Sequence, residues 1–178
     1  MSDRDYETLT ETDNIFYQKH KHLINEYRII SSCSLKKGTT TNIINIVKNN
    51  QLFELIAKLN TEHILEYNNK NGIIKYVISS KAMKELGDKF ALKFTNDINI
   101  ISDNHCIVSG ASVNYSNSKY SNIIHLNSLK ITFNIINNSF NAVILYNMDD
   151  TKFNRLEIFF ISKVLTEIIN KLNLYVCN

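Results

Sequence analysis

The chain has 178 residues, of which 44% are hydrophobic and 21% are charged, as is typical of a globular domain. Its 20 Lys and Arg and 17 Asp and Glu are spread along the sequence, so no basic face for nucleic acid is indicated. No apolar run approaches the roughly 20 residues of a membrane helix, and the acidic N-terminus does not resemble a signal peptide. We therefore expect one cytoplasmic domain over residues 1–178, without a nucleic-acid or membrane partner.

The first half of the chain predicts two helices and a pair of strands. Residues 12–26 place apolar side chains at mixed helical spacing and predict an N-terminal helix. Residues 27–35 and 39–47 predict two strands of a hairpin. Residues 52–59 predict an amphipathic helix, and the polar residues 61–72 predict a connection.

The second half begins with a predicted helix of about five turns over residues 73–94, because apolar side chains recur there every three or four positions. Residues 98–115 predict extended chain with Gly110 at a bend or bulge. Residues 123–136 and 142–146 predict two further strands. Adjacent strands interrupted by helices favour an α+β fold with a largely antiparallel sheet and helices packed on it.

A C-terminal helix is predicted over residues 151–174, with Asp149-Asp150-Thr151 supplying its cap. Its apolar stripe is wider than one core face requires, since Phe159, Leu165 and Ile169 extend it. Large exposed apolar patches are uncommon on monomers, so we expect a homodimer that covers part of this stripe.

The three cysteines, Cys33, Cys106 and Cys177, are odd in number and far apart, and they indicate neither a disulfide framework nor a zinc site. A Cys–His nucleophile pair built from Cys106 with His105 or His125 is an alternative. The interpretation we favour is that Cys106 fills core space as a small hydrophobic side chain.

Motifs for nucleotide binding and for common nucleophiles are missing, because the four glycines are isolated from one another. His20 and His22 are two positions apart in the predicted N-terminal helix, so they point to different sides and are expected to form a solvated surface pair.

The outward edge of the predicted 73–94 helix carries Lys81, Lys84, Glu85 and Asp88. Glu85 and Asp88 are three positions apart, so on a helix they project side by side. Such charges beside lysines usually form a solvated face, and spacing alone leaves them without a function.

The segment Glu85-Leu86-Gly87-Asp88 resembles the E-L-G-N motif of the CheC/CheX family of chemotaxis phosphatases. Residues 29–38 are similar to that family's first hairpin, and Ile107-Val108-Ser109-Gly110 is similar to its V-V-S-G segment. The resemblance covers roughly residues 27–147 and leaves the C-terminal helix unexplained.

This resemblance implies a protein that binds a phosphorylated CheY-type response regulator and hydrolyses its aspartyl phosphate. Glu85 and Asp88 would be the catalytic residues, and together with Lys81 and Lys84 they would contact the partner. The chain itself would hold no cofactor, because Mg²⁺ would belong to the regulator.

Asp88 stands where the family has Asn, and this departure bears on activity. A carboxylate about 4 Å from the phosphoryl group, at an effective dielectric of about 20, opposes it by about 4 kcal/mol per unit charge. We therefore expect weak hydrolysis or none, although a carboxylate could also act as a general base. Two alternatives stay open: a catalytically silent interaction module of a signalling or motor complex, and a viral or parasite host-interaction protein.

Overall fold

The computed structural model describes residues 3–12, 14–36, 43–79, 89–113, 122–149 and 153–177. Within these ranges the chain forms a short 3₁₀ turn at Asp3–Asp5, eleven strands and three α-helices. The strands are β1 (Tyr6–Thr12), β2 (Ile15–His20), β3 (Glu26–Ser34), β4 (Ile64–Lys70), β5 (Ile73–Ile78), β6 (Phe90–Thr95), β7 (Asp97–Ser102), β8 (His105–Gly110), β9 (Asn122–Ile124), β10 (Leu126–Ile136) and β11 (Ser139–Met148). The helices are α1 (Ile43–Lys48), α2 (Leu52–Leu59) and α3 (Arg155–Cys177).

The strands form two sheets. The larger has seven strands in the order β1-β2-β3-β11-β10-β8-β7, and all of its pairings are antiparallel. The smaller has the order β4-β5-β6-β9, with β9 parallel to β6. The α+β prediction with a largely antiparallel sheet is therefore confirmed.

The two sheets meet where β8 ends. A bridge pairs Phe94 with Ser112, and the backbone N–H of Thr95 donates to the carbonyl of Ala111 at 2.9 Å. Gly110 is required here, because a Cβ atom at this position would overlap the carbonyl oxygen of Thr95. Gly110 is the last residue of β8 and pairs with Leu129 in continuous register, so it marks a close approach of the two sheets and not a bulge.

The hairpin of β10 and β11 forms the centre of the large sheet. Asn137 and Asn138 have φ values of 51° and 60°, which suit a two-residue turn whose twist matches that of the strands. Every second side chain of β11 is buried, as expected for a strand with one face on the core: Phe140, Ala142, Ile144, Tyr146 and Met148. The strand predicted over residues 142–146 is confirmed as part of β11, whereas the strand predicted over residues 123–136 is divided into β9 of the small sheet and β10 of the large sheet.

The predicted C-terminal helix is confirmed as α3, which packs against β1, β2, β3, β11 and α2. Its cap, however, is Asn154 and not the predicted Asp149-Asp150-Thr151. The N–H of Glu157 donates to Asn154 Oδ1 at 3.0 Å, and the N–H of Asn154 donates to Glu157 Oε2 at 2.7 Å. This reciprocal arrangement is a capping box.

The predicted N-terminal helix over residues 12–26 is wrong, because the described residues there form β2 and the start of β3. Ile15 and Tyr17 are buried while Phe16 between them is only partly buried, which is the period of a strand. His20 therefore belongs to a strand and not to a surface helix. It is only 9% exposed, and its Nδ1 accepts from the N–H groups of His22 and Leu23.

Two further predictions in the first half are wrong, whereas the helix predicted over 52–59 is confirmed as α2. The described part of the predicted strand 39–47 is α1, in which the β-branched residues Ile43, Ile44 and Val47 are buried at helical spacing. The predicted connection 61–72 contains β4, which turns into β5 through Asn71 and Gly72.

The predicted helix over residues 73–94 is wrong at both ends, where β5 and β6 pair antiparallel from Ile73 with Thr95 to Ile78 with Phe90. Packing of Ile and Val side chains against the neighbouring strand stabilises these strands, although the spacing of the apolar residues also fits a helix. Residues 80–88 lie outside the described residues.

A disulfide joins Cys33 in β3 to Cys177 at the end of α3, contrary to the expectation that no disulfide forms. The two cysteines are 144 positions apart, so no local spacing could reveal the pair. None of the helices in the described part of the chain has the length and hydropathy needed to cross a bilayer.

Candidate functional site

A cavity of about 120 Å³ lies inside the core, between the two sheets and the helices α2 and α3. Its wall takes side chains from both sheets and both helices: Ile29, Phe53, Ile56, Ile64, Tyr76, Ile78, Phe90, Leu92, Phe94, Ile124, Leu126, Leu129, Ile131, Ile144, Tyr146, Met148, Ile161, Val164, Leu165, Ile168 and Ile169. The inward positions of the strands supply one side, and the buried face of α3 covers the other.

Aromatic rings form one part of this wall. The ring centroids of Phe53 and Phe94 are 5.2 Å apart in an edge-to-face arrangement, and Tyr76 is 6.3 Å from each of them. Such contacts between rings add roughly 0.5–1.5 kcal/mol to the burial of their area, so they stiffen this side of the cavity.

Two tyrosines bring hydroxyl groups to the wall, and both hydroxyls are engaged with the protein. The hydroxyl of Tyr76 donates to the carbonyl of Phe53 at 2.6 Å, and the hydroxyls of Tyr146 and Tyr17 share a hydrogen bond. Burial raises the pKa of Tyr76 and of Tyr146 well above the ordinary value, so both side chains are neutral. Among the described residues, no nitrogen or oxygen atom is exposed to the cavity.

Polar contacts hold α3 over the cavity from its outer side. His63 Nε2 lies 2.6 Å from Glu167 Oε2, and Lys171 pairs with Glu62. Nearer the start of the helix, the hydroxyls of Thr10 and Ser162 are 2.8 Å apart. With the disulfide at its last turn, α3 is attached to β1, β3 and the segment between α2 and β4.

The predicted site residues Lys81, Lys84, Glu85 and Asp88 all fall outside the described residues, and their assignment stays a prediction. The described residues hold no group of three or more His, Cys, Asp or Glu side chains that could bind a metal ion.

The nucleophile alternative based on Cys106 finds no support. Cys106 is fully buried, and burial raises the pKa of its thiol to about 11, so at neutral pH it is not a thiolate. His105 is its neighbour in β8, and successive side chains of a strand point to opposite faces. Cys106 belongs to the hydrophobic core, as the favoured interpretation held.

Sequence reasoning missed the cavity because its wall residues have the same pattern as ordinary core residues. Alternating Ile, Leu and Phe side chains predict a buried face, whether that face is filled or leaves a void. The one sequence feature related to the cavity is the wide apolar stripe on α3, and by itself that stripe predicts a dimer interface equally well.

No family model and no curated protein sequence matches the chain. Solved structures do match its fold. Human StAR-related lipid transfer protein 5 is 10% identical, with 98% of this chain and 88% of that chain covered and a TM-score of 0.67. Human STARD10 is 10% identical, with 96% and 71% covered and a TM-score of 0.65. Protein Ms6760 from Mycobacterium smegmatis is 11% identical, with 90% and 96% covered and a TM-score of 0.55.

These likenesses overturn the CheC/CheX resemblance. The described ends of the supposed motif helix, residues 73–78 and 90–94, are strands and not parts of a helix. The phosphatase function, the regulator partner and its Mg²⁺ are withdrawn with it. The homodimer is withdrawn as well. Of the residues that widen the apolar stripe of α3, Ile169 is buried within the chain and Leu165 is partly buried against its core, whereas Phe159 is 40% exposed. The chain has the α+β fold of the StAR-related lipid transfer proteins.

Proposed function

We propose that the chain binds a water-insoluble small molecule, such as a lipid, in the cavity beneath α3. The single observation that carries this proposal is a cavity of about 120 Å³ in the middle of the core, lined by carbon-rich side chains. Protein interiors are otherwise close-packed. At about 24 cal/mol per Å³, a void of this size forgoes about 3 kcal/mol of stability, which an apolar ligand would restore.

The fold supports the same proposal. Human StAR-related lipid transfer protein 5 and the human StarD13 lipid transfer and protein localization domain are named for lipid transfer, and they match this chain with TM-scores of 0.67 and 0.59. Binding is favoured over catalysis because the described wall exposes no acid, base or nucleophile to a ligand.

The proposal is tested with a neutral fluorescent probe, N-phenyl-1-naphthylamine, whose emission rises in an apolar site and whose phenyl ring is small enough for the cavity. Saturable binding is expected for the wild type. Ile144→Trp places a larger side chain in the cavity wall and should weaken binding at least tenfold. Val164→Phe, on the opposite wall, should do the same and guards against misfolding of the first variant.

Ile136→Trp is the matched control, because Ile136 lies at the end of β10 and is 53% exposed. It should leave the affinity for the probe unchanged. Circular dichroism should show the same fold for all variants that are compared. A wild type without saturable binding, or equal losses in the control and the cavity variants, would contradict the proposed function.

A further inference from the structure

We propose that the part of the ligand held in the cavity is pure hydrocarbon, about the size of one six-membered ring, and that the chain rejects analogues bearing a buried hydroxyl or charge. This inference rests on the proposed function and names the class of molecule that the site accepts. Three properties of the cavity carry it: the lack of exposed hydrogen-bonding atoms in its described wall, the lack of charged side chains in that wall, and its volume.

The described wall of the cavity offers a ligand no hydrogen-bonding partner. The described wall contains two side chains with hydroxyl groups, and both hydroxyls are hydrogen-bonded to the protein. The Tyr76 hydroxyl donates to the carbonyl of Phe53, and the Tyr146 hydroxyl shares a hydrogen bond with Tyr17. No oxygen or nitrogen of the described residues is exposed to the cavity. A ligand hydroxyl placed there would lose its hydrogen bonds to water without gaining new ones, which is costly.

Charged groups near α3 do not reach the cavity either. Glu62, His63, Glu167 and Lys171 pair with one another between the helix and the segment that precedes β4. Their apolar neighbours Ile64 and Ile168 form the wall. Among the described residues, an ionised head group in the cavity would therefore meet only apolar side chains, and burying an unpaired charge is far more costly than burying a hydroxyl.

Volume sets the size of the buried group. The cavity measures about 120 Å³. An engineered apolar cavity of about 150 Å³ in another protein stays dry and binds benzene, whereas drug-sized ligands occupy pockets of about 300–1,000 Å³. One ring or a short branched alkyl group thus fits the cavity, and the remainder of a larger lipid would stay outside it.

The experiment compares benzene, phenol and benzoate, which share one ring and differ by a hydroxyl or a carboxylate. Affinities are measured on the intact, oxidised chain at pH 7 by competition with the fluorescent probe. Benzene should bind, phenol should bind at least about tenfold more weakly, and benzoate should not compete at all. Tyr146→Phe and Tyr76→Phe should leave this order unchanged, because neither hydroxyl faces the ligand.

Phenol binding as tightly as benzene would overturn the inference, and its loss in Tyr146→Phe alone would place a polar anchor on that hydroxyl. Competition by benzoate, or binding of the probe without competition by benzene, would overturn it too. These outcomes leave the proposed function standing. A wild type that binds neither the probe nor benzene would instead remove the proposed function, and this inference with it.

Discussion

At the scale of single residues, the buried tyrosines show how the cavity is kept free of polar groups. Tyr17, Tyr27 and Tyr146 are buried together, and the rings of Tyr27 and Tyr146 stack with centroids 5.3 Å apart. The hydroxyl of Tyr146 bonds to Tyr17 and not to the cavity side. The Tyr146 hydroxyl therefore has its hydrogen-bond partner within the protein, while the Tyr146 ring forms part of the apolar wall.

These tyrosines predict a loss of stability at high pH. Burial raises the pKa of Tyr76 and Tyr146 well above 10.0, which is the value in the unfolded chain. Their contribution is therefore complete below pH 10 and is lost as the pH rises above it, because the unfolded state then releases protons that the folded state keeps. Each tyrosine should lower the free energy of unfolding by up to about 1.4 kcal/mol per pH unit.

Urea unfolding between pH 8 and pH 11.5 measures this effect. Tyr146→Phe should be less stable at pH 8 but should show a shallower decline above pH 10. A wild type whose free energy of unfolding stays level from pH 9 to pH 11.5 would show that these hydroxyls ionise as easily in the folded chain as in the unfolded one.

At the scale of elements, the sequence predicted those segments in which only one pattern fits. The β10–β11 hairpin was predicted correctly because the alternation of apolar and polar side chains and the Asn-Asn turn both indicate a hairpin. The helix α2 was predicted correctly because its apolar side chains recur only at helical spacing. The prediction of a helix at residues 73–78 was wrong because Ile and Val occur there at positions that satisfy both helix and strand spacing. The pairing with β6 that decides between them is non-local and cannot be read from the segment itself.

The helix α3 depends on a second non-local feature, the disulfide between Cys33 and Cys177. We predict that reduction, or Cys33→Ser with Cys177→Ser, lowers the free energy of unfolding by about 2–5 kcal/mol, because a long loop in the unfolded chain is released. Disulfides persist in oxidising compartments, so this bond weighs against the cytoplasmic location, which stays a prediction.

Chemical unfolding with and without reductant measures this contribution. The double serine variant is the control, since a reductant should no longer change its stability. Intact mass after alkylation should show one free thiol, Cys106, in the unfolded oxidised protein. Three alkylated cysteines without reductant, or equal stability of the wild type and the double variant, would contradict the assignment of the bond.

At the scale of the whole molecule, the fold forms a cavity that sequence patterns could not reveal. Inward positions of both sheets and the buried face of α3 converge on it, from Ile29 in β3 to Ile169 in the helix. The predicted site residues at 81–88 belong to a different interpretation of the chain and fall outside the described structure. The proposed site thus arises from how the elements pack, and no short motif marks it.

The most direct measurement of the central claim is methyl NMR of the methionines during a titration with benzene. The chain has three methionines, and Met148 lines the cavity, while Met1 and Met83 lie outside the described residues. Met148→Leu identifies the signal of Met148. The account predicts that this signal shifts in a saturable manner through the ring current of the bound ligand. A Met148 signal that stays fixed, or that shifts only in proportion to benzene without saturation, would contradict it.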